Sequence, residues 1–424
     1  MSSTERWLLR DVSVGGVRLD CLIDGGRIAA LAPDLAPSDA RLLDAGGGEL
    51  LPGLADHHIH LMAAVAADES LDLAGGSDLT QLADWPGAGW IRVIGAGIEL
   101  TRADIDRVEA SRPVRIQHRS GALWTLNTPA VEQLAAALTP AERVSGQLWR
   151  ADERLHRALG PRSCPDLSGL GHRLAAWGVT HVVDATPTGN ADVLTELPQH
   201  VVTMDAAGGG PRKLVLADHE LPALDDLVRR VGQAHALGRQ VAVHAVSAVA
   251  LALAIAAIEV VGVMPGDRVE HAAVCDNAAA DRIAELGLTV VTQPSIFARH
   301  GATFRRESPV AEWPWLWRYG SLLRRGVRVA MSSDAPYGDA NPWSGVRAAT
   351  TREGPEQVSA RTALSSLLAE PDDPAGAARR VQSGAVADLC LLSGTLADEL
   401  TTEVTSVRAT FVAGRAVYLA DPPG

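Results

Sequence analysis

The sequence predicts an α/β protein, a TIM (β/α)8 barrel with a small β-sandwich domain formed by both termini. Three observations favour this class. The long middle of the chain alternates apolar strand-like runs with helical stretches, which is typical of βαβ units around a parallel sheet. Both ends are instead rich in short β segments. The chain has 424 residues, 47% of them hydrophobic, which suffices for the cores of one large and one small domain.

The terminal segments predict the small domain. Residues 5–50 contain short β segments, with Gly15-Gly16 and Gly25-Gly26 where hairpins would turn. The C-terminal end has the same character, in the segments ADLCLLSG and VRATFVAGRAVYLA. The expected boundaries are 1–50 and 383–424 for the β-sandwich domain, 51–382 for the barrel and 61–177 for a long insertion in the barrel.

Eight apolar runs in the middle of the chain predict the barrel strands, because buried parallel strands are nearly continuous in apolar residues. The third run has the weakest pattern, and a strand of the insertion is the alternative for its place. Helical stretches separate several of the runs, and eight strand–helix units make a TIM barrel. The runs are 51–60, 178–185, 200–206, 212–217, 240–246, 268–272, 288–294 and 327–334, and the helices are 224–237, 248–261, 277–286 and 315–325.

The first run ends in the sequence Asp56-His57-His58-Ile59-His60. Side chains alternate between the two faces of a strand, so His58 and His60 point the same way. Two imidazoles on one face suit a divalent metal of the zinc, manganese or nickel type. A histidine-rich turn without a ligand is the alternative.

Further polar residues fall at or near the ends of the later strands. Lys213 lies in the fourth run, His244 near the end of the fifth, His271 near the end of the sixth and Asp334 at the end of the eighth. A TIM barrel has its active site at the C-terminal ends of its strands, so we expect these side chains on one rim. Taken singly, a buried histidine can be a core residue and Asp334 a helix N-cap.

Lys213 is the only lysine among 38 Lys and Arg residues. A lysine amine can lose its proton and act as a nucleophile, which arginine cannot do. The composition therefore indicates a chemical role for Lys213. Chance retention on the surface is the alternative.

These motifs resemble those of the amidohydrolase superfamily. PGLADHHIH, VAVHA, RVEHA and MSSDAP are similar to its first-, fifth-, sixth- and eighth-strand motifs. GWIRVIGAGIEL, RPVRIQHRSGALWTLN and NPWSGVRAATTR resemble the YtcJ-like, amidohydrolase 3-type subgroup of amide hydrolases. RKLVLADHELP resembles the lysine strand of that subgroup, with His219 where a glycine is usual, and this departure leaves the substrate open.

The resemblance implies a binuclear metal centre, with two Zn as the first expectation and Mn, Ni or Fe as alternatives. One metal would be held by His58, His60 and Asp334, and the other by His244 and His271. Lys213, carboxylated by CO2, would bridge them, because a carbamate anion is stabilised by two cations that would repel an ammonium. A mononuclear site is the fallback if Lys213 is unmodified. The implied ligands are His58, His60, Lys213, His244, His271 and Asp334.

The implied activity is metal-dependent hydrolysis of a C–N amide bond in an N-acyl, cyclic amide or formamide-type substrate. A metal-bridging hydroxide would attack, and Asp334 would act first as base and then as acid. This is a hydrolase acting on carbon–nitrogen bonds other than peptide bonds. The alternatives are a mononuclear-metal deaminase, a lactone or phosphoester hydrolase on the same centre, and a binding protein that kept only the barrel. Metal content distinguishes the amide hydrolase from the mononuclear deaminase, because the first would hold two ions per chain and the second would hold one.

The net charge and the local composition of the chain argue against several classes of partner and favour one cellular location. The net charge of −13 argues against nucleic-acid and anionic-membrane partners, and the apolar run Ala245 to Ile258 is too short to span a bilayer. The N-terminal segment shows no apolar core of signal-peptide length, and the cysteines have no paired spacing, so we expect a cytoplasmic protein with reduced thiols. A homodimer is the default expectation. The four cysteines are Cys21, Cys164, Cys275 and Cys390.

We expect a small-molecule substrate and place its contacts in loops beyond the strand ends and in the insertion. Trp313 belongs to a tryptophan cluster after strand seven, where the alternatives are helix packing and an oligomer contact. Arg119, beside His118, is a candidate for a substrate carbonyl or carboxylate, with a surface salt bridge as the alternative. The predicted substrate residues are His118, Trp124, Gln293, Trp313 and Tyr337.

Overall fold

The structure is a computed structural model that describes residues 5–73, 78–97, 100–118, 121–160, 166–186, 194–204, 209–402 and 404–420. Contacts divide the chain into two compact units, one of Met1–Leu61 with Leu167–Gly424 and one of Met62–Asp166.

The strands of both units are given together in chain order, and β7 to β11 belong to the second unit. They are β1 (Trp7–Val14), β2 (Val17–Asp24), β3 (Arg27–Ala32), β4 (Arg41–Asp44), β5 (Leu50–Pro52), β6 (Leu54–Ile59), β7 (Leu71–Asp72), β8 (Ile91–Ala96), β9 (Val114–His118), β10 (Leu123–Leu126), β11 (Gln147–Trp149), β12 (Val179–Asp184), β13 (His200–Thr203), β14 (Arg212–Val215), β15 (Val241–Ala245), β16 (Arg268–His271), β17 (Thr289–Thr292), β18 (Arg328–Met331), β19 (Leu389–Leu392), β20 (Val407–Val412) and β21 (Arg415–Leu419).

The α-helices are α1 (Leu61–Asp68), α2 (Arg102–Asp106), α3 (Thr128–Gln133), α4 (Pro140–Ser145), α5 (Asp152–Leu159), α6 (Ser168–Ala176), α7 (Leu224–Ala236), α8 (Ala248–Val261), α9 (Asn277–Leu286), α10 (Pro294–Glu307), α11 (Gly320–Arg324), α12 (Pro342–Thr351), α13 (Ala360–Ser365) and α14 (Leu396–Thr401). Short 3-10 turns occupy Thr80–Leu82, Ala135–Ala137, Val310–Trp315 and Gly354–Glu356.

The two ends of the chain form two four-stranded sheets, with the orders β3-β2-β1-β4 and β21-β20-β19-β5. The predicted hairpin turns are present between the antiparallel pairs β1–β2 and β2–β3. Their glycines, Gly15, Gly16, Gly25 and Gly26, have positive φ angles, which glycine adopts without steric cost. The sheets share one hydrophobic cluster, in which the rings of Trp7 and Phe411 lie 5.5 Å apart.

The middle of the first unit contains two parallel sheets, β13-β12-β6 and β14-β15-β16-β17-β18. Each of the predicted apolar runs forms one of these strands, including the third, whose last residues Asp205 and Ala206 lie outside the described part of the chain. Backbone hydrogen bonds join the sheets, from Lys213 N to Met204 O (3.2 Å) and from Asp334 N to His58 O (2.8 Å). The predicted α/β class is confirmed.

Three of the four predicted helices coincide with α7, α8 and α9. The fourth, predicted over 315–325, is instead a 3-10 turn followed by the short helix α11. Pro314 has no N–H to donate, and Trp317 has a left-handed φ of 51° and donates its N–H to Ala273 O at 2.7 Å. Among the described residues, we find no helix with the length and apolarity that crossing a bilayer requires.

The second unit is built on a five-stranded sheet of order β11-β10-β9-β8-β7. Its core contains Leu82, Ile91, Val93 and Val114, all of which are buried. Asn127, which is fully buried, accepts from Val114 N and donates to Glu109 O and Arg112 O, so its side chain satisfies the backbone around the sheet.

Candidate metal centre

Strands β6 and β18 bring three donor atoms together at their C-terminal ends. His58 Nε2 lies 3.5 Å from Asp334 Oδ1, and His60 Nε2 lies 3.4 Å from the same oxygen. The backbone hydrogen bond from Asp334 N to His58 O (2.8 Å) sets this register. His58, His60 and Asp334 therefore form a group whose ligand atoms all lie within 4.8 Å of one another.

The spacing of these atoms fits a divalent cation. Ligand atoms at about 2.1 Å from a tetrahedral zinc ion lie about 3.4 Å from each other. Asp334 Oδ1 is also buried without a hydrogen-bond donor in bonding geometry among the described residues. An orphaned buried carboxylate oxygen beside two imidazole nitrogens is a donor set that a metal would satisfy.

Lys213 lies in the same group and not on the surface. It is 9% exposed, and its Nζ atom is 3.4 Å from both His58 Nε2 and His60 Nε2. Nζ donates to Ala185 O at 2.8 Å. Burial lowers the pKa of the Lys213 amine, although Asp334 acts to raise it. A lowered pKa increases the fraction of neutral amine, which is the nucleophilic form.

His244 and His271 form a second pair of imidazoles beside the first group. His271 Nε2 lies 2.9 Å from His244 Nδ1, and His271 Nδ1 lies 3.7 Å from Asp334 Oδ2. Non-glycine residues rarely have left-handed backbone, yet φ is 70° at His271 and 53° at Asp334. Such strain is held by the surrounding structure and is common at functional sites.

Burial keeps the imidazoles of His58 and His244 neutral. It lowers the pKa of His58 well below its ordinary value, with Lys213 as the next cause, and it lowers the pKa of His244 to about 3, with His271 as the next cause. Neutral imidazole is the form that binds metals. Burial alone would raise the pKa of Asp334, but His271, His60 and His58 outweigh it, so the pKa falls well below the usual range and the group is a carboxylate.

Two acidic residues at the site were missed by sequence reasoning. Glu270 is fully buried, with Oε2 at 2.5 Å from His58 Nδ1 and Oε1 at 2.6 Å from Arg268 Nε. Asp184, at the end of β12, accepts hydrogen bonds from Leu61 N and Thr186 Oγ1, and burial raises its pKa. The available signal for Glu270 was a pair of opposite charges two residues apart on one strand, because side chains at that spacing share a face.

Two of the predicted substrate residues lie beside the histidines of the candidate metal centre. Tyr337 is exposed, and its ring lies 6.1 Å from that of His60. Gln293 is fully buried and accepts from His271 Nδ1 at 2.9 Å while donating to Ser332 Oγ at 2.7 Å. Trp317, which sequence reasoning did not select by itself, lies 6.3 Å from the His271 ring.

Nothing in the described structure places the remaining predicted substrate residues beside His58, His60 and Asp334. Trp313 is 40% exposed and donates its indole N–H to Arg305 O at 2.8 Å. His118 and the buried Trp124 belong to the second unit, on β9 and β10. Arg119 lies outside the described residues. Their substrate roles stay predictions.

A comparison with known protein families matches residues 172–418 to the Amidohydrolase family, which is more than half of the chain. The chain belongs to the amidohydrolase family. The predicted resemblance is therefore confirmed. The matched region includes Lys213, His244, His271 and Asp334. The family assignment makes the protein a metal-dependent hydrolase that acts on carbon–nitrogen bonds.

Similar proteins span nearly the whole chain of this amidohydrolase. The N-substituted formamide deformylase of Arthrobacter pascens is 24% identical, over 93% of this chain and 93% of that protein. Among solved structures, an uncharacterized metal-dependent hydrolase from Pyrococcus furiosus has a TM-score of 0.72 at 20% identity, covering 92% of this chain and 99% of its own. N-isopropylammelide isopropylaminohydrolase from Burkholderia multivorans has a TM-score of 0.54 at 19% identity, covering 97% and 98%. These two solved structures have the same fold as this chain.

The amidohydrolase contains a second group of potential ligands, His181, His200 and Asp388. His200 Nε2 lies 3.1 Å from Asp388 Oδ1, and His181 Nε2 lies 3.8 Å from Asp388 Oδ2. Arg379 Nη1 lies 2.9 Å from His181 Nδ1. Because a guanidinium only donates, Nδ1 must accept and the neutral ring carries its hydrogen on Nε2, the atom that would have to bind a metal. We interpret this group as an ion-paired network and not as a metal site.

This network predicts a pH-dependent contribution to stability. The hydrogen bond to Asp388 raises the pKa of His200, while Arg379 opposes it and Glu370 adds to it. Burial raises the pKa of Asp388, but the hydrogen bonds from His200 and Ala413 N outweigh it and the pKa is lowered. His181, with its pKa lowered to about 3 by burial and Arg379, stays neutral. The His200–Asp388 pair is therefore charged between the lowered pKa of Asp388 and the raised pKa of His200.

Replacing His200 with Gln should lower the free energy of unfolding near pH 6 by less than about 1 kcal/mol, because His200 is half exposed and solvent screens the pair. The loss should vanish above pH 8, since the stabilisation is present below the unfolded pKa of about 6.5 and is lost as pH rises through the raised folded pKa. Thermal unfolding from pH 5 to 9 measures this. His219→Gln, at an exposed histidine, is the control, and an effect of His200→Gln that did not change with pH would contradict the prediction.

Proposed function

We propose that this amidohydrolase uses a binuclear metal centre to hydrolyse the C–N bond of an amide, either an N-acyl compound, a cyclic amide or an N-substituted formamide. The observation that carries the proposal is the convergence of four donor atoms at 3.4–3.5 Å, those of His58, His60, Lys213 and Asp334. The N-substituted formamide deformylase, which aligns over 93% of this chain, supports formamides as the first substrates to test.

We infer that the eight parallel strands close into one (β/α)8 barrel. The hydrogen bonds from Lys213 N to Met204 O and from Asp334 N to His58 O support closure at both seams between the two sheets. We also infer that the two four-stranded sheets form the predicted β-sandwich of residues 1–50 and 383–424, which their shared hydrophobic cluster supports. Closure would place all six predicted ligands on one rim.

In this proposal His58, His60 and Asp334 hold one divalent ion, and His244 and His271 hold the other. Zinc is the first choice, because imidazole nitrogen and carboxylate oxygen suit it, with manganese, nickel or iron as alternatives. Bound divalent ions supply Lewis acidity and lower the pKa of a coordinated water towards neutrality. Lys213, carboxylated by CO2, would place a carboxylate between the two sites. Burial, which lowers the pKa of the amine, supports that reaction.

Asp334 is the proposed acid/base. Its carboxylate is buried and ionised, and Oδ1 accepts no hydrogen bond from the described protein groups. It can accept a proton from the attacking water and pass it to the leaving nitrogen. The hydrogen bond from its own N–H to His58 O holds the backbone of Asp334 beside β6.

Metal analysis and a substrate screen test this proposal together. We expect two equivalents of divalent metal per chain, and we expect chelation to lower hydrolysis by at least about a hundredfold, since the ions supply both the nucleophile and the polarisation. Zinc should restore the rate. The screen compares N-acyl amino acids, cyclic imides and N-substituted formamides. A purified protein that takes up no metal while remaining folded would refute the proposed centre.

A mononuclear deaminase is the second candidate, and one observation favours it. At the ends of β6 and β18, His58, His60 and Asp334 form a close three-ligand group, whereas the neighbouring His271 and His244 contact each other at 2.9 Å. One equivalent of metal and release of ammonia from a ring amine would support this reading. Lactones and phosphoesters belong in the same screen as the remaining alternatives.

We also propose a cytoplasmic location, a small-molecule substrate and a homodimeric state. Among the cysteines that the structure describes, Cys21, Cys275 and Cys390 are unpaired and buried, which suits a reducing compartment. Cys164 lies outside the described residues.

A further inference from the structure

A buried chain of polar groups runs from β16 to His58 on β6. Arg268 is 1% exposed, and Glu270 and His58 are fully buried. Arg268 Nε lies 2.6 Å from Glu270 Oε1, an ion-pair contact that lacks hydrogen-bond geometry, and Glu270 Oε2 lies 2.5 Å from His58 Nδ1. The ring of His58 is thus held at one nitrogen by Glu270 and faces the metal group with the other.

We propose that Glu270 is a positioning residue that sets the tautomer of His58 and thereby makes Nε2 available to the metal. The guanidinium of Arg268, which only donates, lies against the carboxyl group of Glu270, so this group acts as the acceptor and His58 Nδ1 donates to it. The single hydrogen of the neutral ring then lies on Nδ1, and the lone pair of Nε2 faces Asp334 Oδ1. A carboxylate behind a ligating imidazole orients the ring and increases its basicity. The inference rests on the metal centre proposed above.

Arg268 keeps Glu270 in its acceptor form. A buried carboxylate without a counter-charge would be strongly disfavoured, and Arg268 supplies the positive charge at 2.6 Å. Arg268 Nη2 also donates to His57 O at 3.2 Å and contacts Met204 Sδ at 3.7 Å, so the guanidinium is fixed on several sides. Since a guanidinium carries hydrogen on every nitrogen and a positive charge, it favours a bare oxygen on the side of Glu270 that faces it.

This geometry gives Glu270→Gln a specific consequence. Arg268 requires an oxygen opposite it, so the new amide should turn its oxygen to Arg268 and its NH2 group to His58 Nδ1. His58 Nδ1 would then have to accept, and the ring hydrogen would move to Nε2. We therefore expect Glu270→Gln to weaken metal binding by about 10- to 100-fold, in the range found when such outer partners are removed.

A second variant separates this role from simple packing. In the double variant Arg268→Met/Glu270→Gln, no buried charge is left uncompensated, and the amide is free to turn its oxygen to His58 Nδ1. The double variant should therefore bind metal several-fold more tightly than Glu270→Gln alone. Glu356→Gln is the matched control, since Glu356 is a buried carboxylate that accepts from Ser321 N and Oγ. It should change stability without changing metal affinity.

The measurements are metal dissociation constants by competition with a chromophoric chelator, the visible spectrum after Co²⁺ loading, and thermal unfolding. Ring-nitrogen NMR of the metal-free wild-type protein, with His58 assigned by comparison with His58→Gln, reads the tautomer directly and does not depend on a folded Glu270 variant. We expect a protonated Nδ1 and an unprotonated Nε2 at His58.

A protonated Nε2 in the wild-type protein would overturn the inference, as would Glu270→Gln binding metal within twofold of wild type. These outcomes are distinct from failure of the proposed function, in which the wild-type protein itself takes up no metal.

Discussion

Asp334→Asn should remove turnover while metal remains bound, with kcat lowered by at least about a hundredfold, the scale of a lost general acid/base. The amide oxygen of asparagine can still act as a ligand, but the amide cannot accept a proton at neutral pH. The histidines His271, His60 and His58 hold the pKa of Asp334 well below its usual range, so the wild-type group is ionised at neutral pH and has a free site for a proton. Steady-state kinetics and metal analysis on the same preparation measure the two effects separately.

Asp339→Asn is the control for this experiment. Asp339 is an exposed carboxylate in the same loop, where it accepts from Asn341 N and Ser344 Oγ. Its loss should leave kcat close to the wild-type value. A near-wild-type rate for Asp334→Asn would refute the acid/base assignment, and loss of all metal from this variant would show instead that its main contribution is as a ligand.

Lys213→Ala should lower the metal content from two equivalents to one and reduce hydrolysis by at least about a hundredfold, because a lost ligand costs more than the 10- to 100-fold of a lost outer partner. The variant removes the proposed carbamate anion, which would offset the repulsion between two neighbouring cations. Acetate or propionate should restore part of the rate by placing a carboxylate in the vacated space. Metal analysis and rates at increasing carboxylate concentration measure both effects.

Arg212→Lys is the control for the lysine, since residue 212 lies next to it on β14 and is only partly buried. This change keeps the positive charge and should keep both metals. Two equivalents of metal and an unchanged rate in Lys213→Ala would exclude a bridging role. Reconstitution of metal-free wild-type protein should also be faster with added bicarbonate, which supplies the CO2 for carboxylation.

Hydrophobic patterning was sufficient to locate the parallel strands. The run Val241–Ala245 was predictable because a strand covered on both faces needs apolar residues at nearly every position. Strand alternation was sufficient to place His58 and His60 on one face. Lys213 was recognisable from composition alone, and the structure places its amine 3.4 Å from both imidazoles.

Local signals failed where a tertiary contact replaced a local one. The pattern over 315–325 suggested one continuous helix, but Trp317 N bonds to Ala273 O, a partner far away in the sequence, and the helix starts only at Gly320. The predicted substrate role of Gln293 stays a prediction, but its hydrogen bond with His271 Nδ1 was likewise not predictable from local sequence. Neither partner is visible from the residues next to it in the chain.

The sequence by itself determined the α/β class, the order of the strands and the residue types that gather at the candidate metal centre, because these follow from burial and from the period of a strand. Only the tertiary structure decided how those residues are used. It selected which nitrogen of His58 faces Asp334 and placed Glu270 behind the other nitrogen. The physical reason is that a ring tautomer depends on hydrogen-bond partners that sit on different strands, 212 residues apart for His58 and Glu270.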